Sequence, residues 1–358
     1  MPVRPGRLLP QLVAAACVAG LVVLYLLCRE QGPLPVPPGW TLWPEPGATL
    51  AVVVAPDGTY AGGTRGLFRL TARGPAERIT IPGTRGTIVV SSILVDGSGT
   101  LWVGHNQGLS VRTSGVWQTL SETDGIPSRY VTSLAAGGGS AVWVGTTRGA
   151  VRLPCDNLTS HDLRQTLTQQ NGLPHDTVST IAVDREGGVW FGTSAAPKGG
   201  LGRLKHERWQ YWTPCDGLPH SNIVTLLQTR DGRIWAGCGA LDLGGTLVFG
   251  PAVGGWRLEQ TIPGSELASP HARSLLEDHQ GRLWIGSETA GLTIREGDRT
   301  IRIIKPVDGL PSAEIMSMAE GLDGAVWMGT PVGAIRIDPG VVASLLTTQT
   351  TPGGSADP

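Results

Sequence analysis

Leu101-Trp102-Val103-Gly104 is a phrase that this chain repeats. It returns as Val142-Trp143-Val144-Gly145, Val189-Trp190-Phe191-Gly192 and Ile234-Trp235-Ala236-Gly237. It returns again as Leu283-Trp284-Ile285-Gly286 and Val326-Trp327-Met328-Gly329. A worn copy, Thr59-Tyr60-Ala61-Gly62, has Tyr60 in the tryptophan place, which makes seven copies spaced 41 to 49 residues apart. A period of this size signals a repeat architecture. No unit contains a sustained apolar period of 3.6 residues, which argues against helical repeats.

Each unit instead carries four short strand signals. In 129–168, residues 130–134 read as a first strand, Trp143 lies in the second, 149–153 form the third and 163–167 the fourth. Asp57-Gly58, Asp231-Gly232 and Asp323-Gly324 supply the left-handed residues of tight hairpins. Four-stranded units at this period read as propeller blades. The expected fold is all-β: one seven-bladed β-propeller of four-stranded blades over residues 40–340.

Trp117, Trp209, Trp212 and Trp256 fall in fourth-strand positions, and Trp40-Thr41-Leu42-Trp43 copies the spacing of Trp209-Gln210-Tyr211-Trp212. The last unit runs through Ile335-Arg336-Ile337-Asp338 without a clear fourth strand. Trp40 and Trp43 are therefore expected to complete it, so that the N-terminal strand closes the ring and removes an exposed edge. The repeated Tyr60, Trp102, Trp143, Trp190, Trp235, Trp284 and Trp327 read as packing rather than as an aromatic cage for a ligand.

Composition agrees with a repeated β architecture. Gly 52 and Pro 27 are both abundant, and Trp 12 exceeds Tyr 4 and Phe 3, the mark of a residue copied by repetition. A hydrophobic fraction of 40% supports a core, while 16% charged residues and a net charge of −1 argue against a nucleic-acid surface. Residues 8–28 hold no charge and would rise about 31 Å as a helix, enough to cross a bilayer. Arg4 and Arg7 before this run favour an N-in signal anchor with the rest exported, since no A-x-A cleavage site follows it. Cleavage or lipidation of the segment are the other readings. The domain plan is thus a transmembrane anchor over 1–28, a Pro-rich linker over 29–39, the propeller over 40–340 and a disordered tail over 341–358.

Asp216-Gly217-Leu218-Pro219-His220 and Asp308-Gly309-Leu310-Pro311 each precede a strand and then a Trp-x-Gly run; Asp124-Gly125-Ile126-Pro127 and Asn171-Gly172-Leu173-Pro174 are close variants. On these residues, over roughly 40–340, the chain resembles the two-component regulator propeller repeat family. In that family such blades form the periplasmic sensor of hybrid histidine kinases, usually as two rings followed by a β domain, a membrane helix and the kinase. Here the plan is a single ring with no kinase segment. The resemblance therefore implies an extracytoplasmic sensory module, anchored in the membrane and working with a separately encoded sensor kinase or envelope protein.

No catalytic constellation stands out. There is no G-x-S-x-G, H-E-x-x-H, C-x-x-C or phosphate-binding loop opening a helix, so no enzyme activity, cofactor or metal is expected. His175, His220 and His271, each directly after a proline, are expected at equivalent places near the channel mouth, where imidazoles could bind a metal, act as acid and base or contact a ligand, although Ser128 and Ser312 at the same position favour a polar turn residue. Tyr130, Thr177, Asn222, Arg273 and Glu314, two residues further on, would point to the same mouth and contact a small ligand or peptide. The turns 194–200 and 238–245 vary most between units. Alternatives from other classes are a propeller lyase or hydrolase with a His/Glu pair at the mouth, as in streptogramin lyases, and an envelope assembly scaffold. Cys155, Cys215 and Cys238 allow at most one internal bridge, with Cys215–Cys238 conceivable and three small unpaired residues the alternative.

Overall fold

The computed structural model describes residues 36–347, apart from 72–73, 139–140, 159–164, 196 and 241–242. The apolar run 8–28 lies outside the described residues, and among the described residues no helix is long and apolar enough to cross a membrane. The body from Pro37 onward contains seven four-stranded antiparallel sheets. Six are consecutive in the chain, over 49–79 (blade I), 90–120 (II), 131–167 (III), 178–212 (IV), 223–263 (V) and 272–304 (VI). Blade VII combines Ser317–Glu320, Val326–Thr330 and Gly333–Ile337 with Trp40–Trp43 on its outer edge. Trp40 pairs with Ile337 and Trp43 with Ala334, antiparallel. The first strand of every blade lies beside the first strand of the next, and that of blade VII beside that of blade I. The protein is a seven-bladed propeller.

Burial follows strand order. Five of the seven second strands, such as Leu101–His105 and Val189–Thr193, are buried at every position, because neighbouring blades cover both faces. The outer strands alternate; Val116–Leu120 shows only Leu120 fully inside. The Trp-x-Gly phrase follows from this packing. A Cβ on Gly145 would stand 2.9 Å from Val178 Cγ1, and one on Gly192 would stand 2.8 Å from Ile223 Cγ2. Only glycine lets the next blade's first strand approach so closely. The blade–blade seams are also stitched by hydroxyls, with Thr132 Oγ1 donating to Val178 O at 2.6 Å and Ser274 Oγ to Ile315 O at 2.8 Å.

Residues Pro339–Thr347 form helix α1, where the sequence reading expects the start of a disordered tail. Val342 is buried, and Val341, Leu345 and Leu346 pack with it on blade VII beside Trp40 and Leu42. Apolar residues at 341, 342, 345 and 346 form one helical stripe, which gives the segment a face to bury.

Candidate functional site

The segments entering the first strands of blades III, IV, V and VII are built from one motif. In Thr213-Pro214-Cys215-Asp216-Gly217-Leu218, Asp216 Oδ2 accepts the Thr213 N–H at 2.9 Å and closes a 3₁₀ turn. Asp124, Asn171 and Asp308 do the same for Ser121, Thr168 and Lys305, at 2.9, 2.6 and 2.9 Å. Gly217, at φ 97°, then turns the chain through the left-handed region, and Leu218 drops into the core. The position after the proline is also structural. His175 Nδ1 accepts the Thr177 N–H and His220 Nδ1 the Asn222 N–H, both at 3.0 Å. Ser128 and Ser312 hydroxyls accept the equivalent N–H of Tyr130 and Glu314.

His271 does not share that position, which corrects the expected equivalence of the three histidines. In blade VI the accepting side chain is Ser269, whose Oγ takes the His271 N–H at 3.3 Å. The backbone carbonyl of His271 accepts the Glu288 N–H, as those of Tyr130, Thr177 and Asn222 accept Thr147, Ser194 and Gly239 N–H. His271 thus stands with Tyr130, Thr177, Asn222 and Glu314, and Arg273 lies two residues deeper on the first strand. Pro270 sits two places later than Pro219, so alignment on the prolines shifts the register.

This register brings charged side chains of blades VI and VII together. His271, 7% exposed, sets Nδ1 against the Glu288 carboxylate, while its buried Nε2 has no hydrogen-bond partner among the described residues. Arg273 Nη1 reaches Glu288 Oε1 at 3.2 Å and Arg273 Nε reaches Glu314 Oε1 at 3.2 Å. The contact with His271 holds the Glu288 carboxyl below its ordinary value, against the effect of burial. Burial raises that of Glu314, despite the pull of Arg273, and the Glu288 charge adds to the rise. His220 is lowered, mainly by burial and then by the charge of neighbouring His271. The structure therefore joins His271, Glu288, Arg273 and Glu314 in one network. Tyr130, Thr177 and Asn222 hold the equivalent ladder positions in blades III, IV and V, and Asn222 Nδ2 bonds Gly239 O at 2.9 Å.

Residues 172–195, 217–240 and 266–289 match the family described as two component regulator propeller. Segments of blades IV, V and VI thus match the two component regulator propeller repeat. The three matched segments begin five residues before Thr177, Asn222 and His271, the same register as the hydrogen bonds. No curated protein matches the chain. Among solved structures, it is similar to the extracellular domain of the proposed hybrid two component system BT3049 from B. thetaiotaomicron, with TM-score 0.71, 19% identity, and 86% of this chain and 42% of that one covered. It thus spans about two fifths of that extracellular domain. Virginiamycin B lyase from Staphylococcus aureus gives TM-score 0.60 at 13% identity over 83% of this chain and 97% of the enzyme. YCF48 bound to D1 peptide gives 0.63 at 14% identity over 85% and 99%. At these identities the likeness is one of fold.

Three features of the blades escape the sequence reading. Asp96, Asp184 and Asp278, each six residues before a repeat tryptophan, accept Trp102, Trp190 and Trp284 Nε1 at 2.8 Å, a spacing that is visible once sought. Glu288 lies in a turn that no repeat marks. His105 is fully buried, with Nε2 2.8 Å from Ser110 Oγ and Nδ1 accepting the Gln107 N–H, and burial lowers its pKa to about 4. Among the described residues no group of three acidic, histidine or cysteine side chains could hold a metal. Cys155, Cys215 and Cys238 are free, and burial pushes the Cys238 thiol up to about 11.

Proposed function

We propose that this chain is a membrane-anchored, extracytoplasmic propeller that binds a small polar ligand or peptide at its rim and reports it, without catalysis, to a separately encoded sensor kinase or envelope protein. The single observation that carries the reading is the Glu288–Arg273–Glu314 network with His271, on a scaffold built of regulator-propeller repeats. Ligand contact centres on His271, Arg273 and Glu314 and extends to Tyr130, Thr177, His220 and Asn222. His175, whose Nδ1 is taken by the Thr177 N–H, is left to the fold. The run 8–28 serves as the anchor, 29–39 as the spacer, and the Trp40–Trp43 strand as the clasp on which the ring's cooperative unfolding depends.

One observation favours a second reading. His271 against Glu288 is a histidine–carboxylate pair, the arrangement that prepares an imidazole for acid–base work. Its Nε2 is buried, so a substrate proton has no access without rearrangement of the rim, and this supports the binding role. The test is a thermal-shift screen of polar metabolites and peptides on the full chain, followed by mass spectrometry of each stabilising compound after incubation. The binding reading expects every such compound to be recovered intact. Conversion that disappears with His271→Ala would replace it with a lyase or hydrolase.

A further inference from the structure

A second cleft, of about 350 Å³, lies between blades V and VI on the hairpin turns joining their first and second strands. It is lined by Thr229, Asp231, Arg233 and Trp235 from blade V, and by His279 and Arg295 from blade VI, among others. The repeat itself shows what this cleft is missing. In blades II, IV and VI the carboxylate six residues before the tryptophan accepts the indole N–H, from Trp102, Trp190 and Trp284, at 2.8 Å. Blade V has Thr229 at that position. Its acid has moved to Asp231, which is occupied by Arg233 Nε at 2.7 Å and the Thr229 hydroxyl at 2.6 Å.

The consequence is two buried donors on one cleft. Trp235, 4% exposed, has no acceptor for Nε1 among the described residues, and Arg295, 1% exposed, has none for Nε. The other Arg295 nitrogens are used, with Nη1 on Thr300 Oγ1 at 2.8 Å and on Glu266 Oε2 at 3.3 Å, and Nη2 on Asp298 O at 2.7 Å, so only Nε is left over. Blade V holds its tryptophan in the same ladder as the others, with Trp235 opposite Leu227 as Trp284 is opposite Leu276, so the indole edge faces the turn that lines the cleft. A buried N–H left without an acceptor is costly, and a guanidinium N–H lining the same cleft favours a charged acceptor.

We propose that this cleft binds a carboxylate supplied from outside the chain which, once the lining side chains shift to admit it, accepts from Trp235 Nε1 and Arg295 Nε, where blades IV and VI use Asp184 and Asp278. The shared chemistry fits a free small dicarboxylic acid or an acidic side chain of a bound peptide. The test is titration calorimetry of the purified full chain with succinate and, separately, with a glutamate-rich peptide. Binding of succinate identifies a small acid as the source, and binding of the peptide alone identifies a partner's side chain. Trp235→Phe keeps the ring and removes the donor; it should weaken binding about tenfold while its melting temperature stays at or above that of the wild type. Thr229→Asp restores the internal acceptor, and should raise the melting temperature and abolish binding. The proposal is overturned if neither probe binds, if binding survives both substitutions unchanged, or if Thr229→Asp lowers the melting temperature.

Discussion

In blades III and IV the polar rim side chains turn back on their own backbone, whereas in blades VI and VII they bind one another. His175 Nδ1 and Ser128 Oγ each accept an N–H two residues on. Glu288, Arg273 and Glu314 instead form a chain of ion pairs that crosses from blade VI to the segment entering blade VII. The ladder hydrogen bonds that set the register are the same in blades III, IV and VI. The difference shows that a histidine or serine whose acceptor atom is consumed by the turn belongs to the repeat, and that function is to be sought where side chains are free to reach across a seam.

The largest expected effect tests the first kind of residue at its extreme. His105 is buried neutral, with its pKa lowered from 6.5 to about 4. A base whose folded pKa is depressed contributes stability that is complete above 6.5 and is lost as pH falls toward 4. Denaturant unfolding should therefore lose up to about 3 kcal/mol across that window, and His105→Asn should flatten this part of the profile. Next, Arg273→Ala should cost about 1–2 kcal/mol by equilibrium unfolding, since the pairs it breaks are partly solvated. Glu314 separates the arcs further. Its raised pKa means that its contribution is present below the ordinary carboxyl value of 4.5 and is lost as pH rises through the folded pKa. Glu314→Gln should accordingly be at least as stable as the wild type at neutral pH and lose that advantage in acid, read by melting temperature at two pH values. The smallest effect is expected from His175→Ser, below about 0.5 kcal/mol, because a serine hydroxyl already holds the same N–H in blades III and VII. A loss above 2 kcal/mol would show that His175 does more than close its turn.

Most of the architecture was legible because propeller packing demands particular residues at particular places. Seven aromatic-x-glycine phrases mark seven second strands, and the glycine is the point where the next blade approaches. The Asp-Gly-Leu-Pro runs are equally readable, as a cap, a left-handed turn and a core plug. The site was less legible. His271 was grouped with His175 and His220 because all three follow a proline, yet Pro270 has slipped by two positions and only the ladder hydrogen bonds restore the register. Glu288 carries no repeat signal, since its turn is free to vary while the strands on either side are held. Helix α1 was missed because its apolar stripe is a single turn and a half, set beside a glycine- and threonine-rich end.

The central claim is that the blade VI–VII network receives the ligand. The most direct measurement is a thermal-shift screen run in parallel on the wild type, Arg273→Ala and His175→Ser. Compounds that stabilise the wild type should do so equally in His175→Ser and lose their effect in Arg273→Ala. Full retention of those shifts in Arg273→Ala would place recognition elsewhere on the ring and contradict the account.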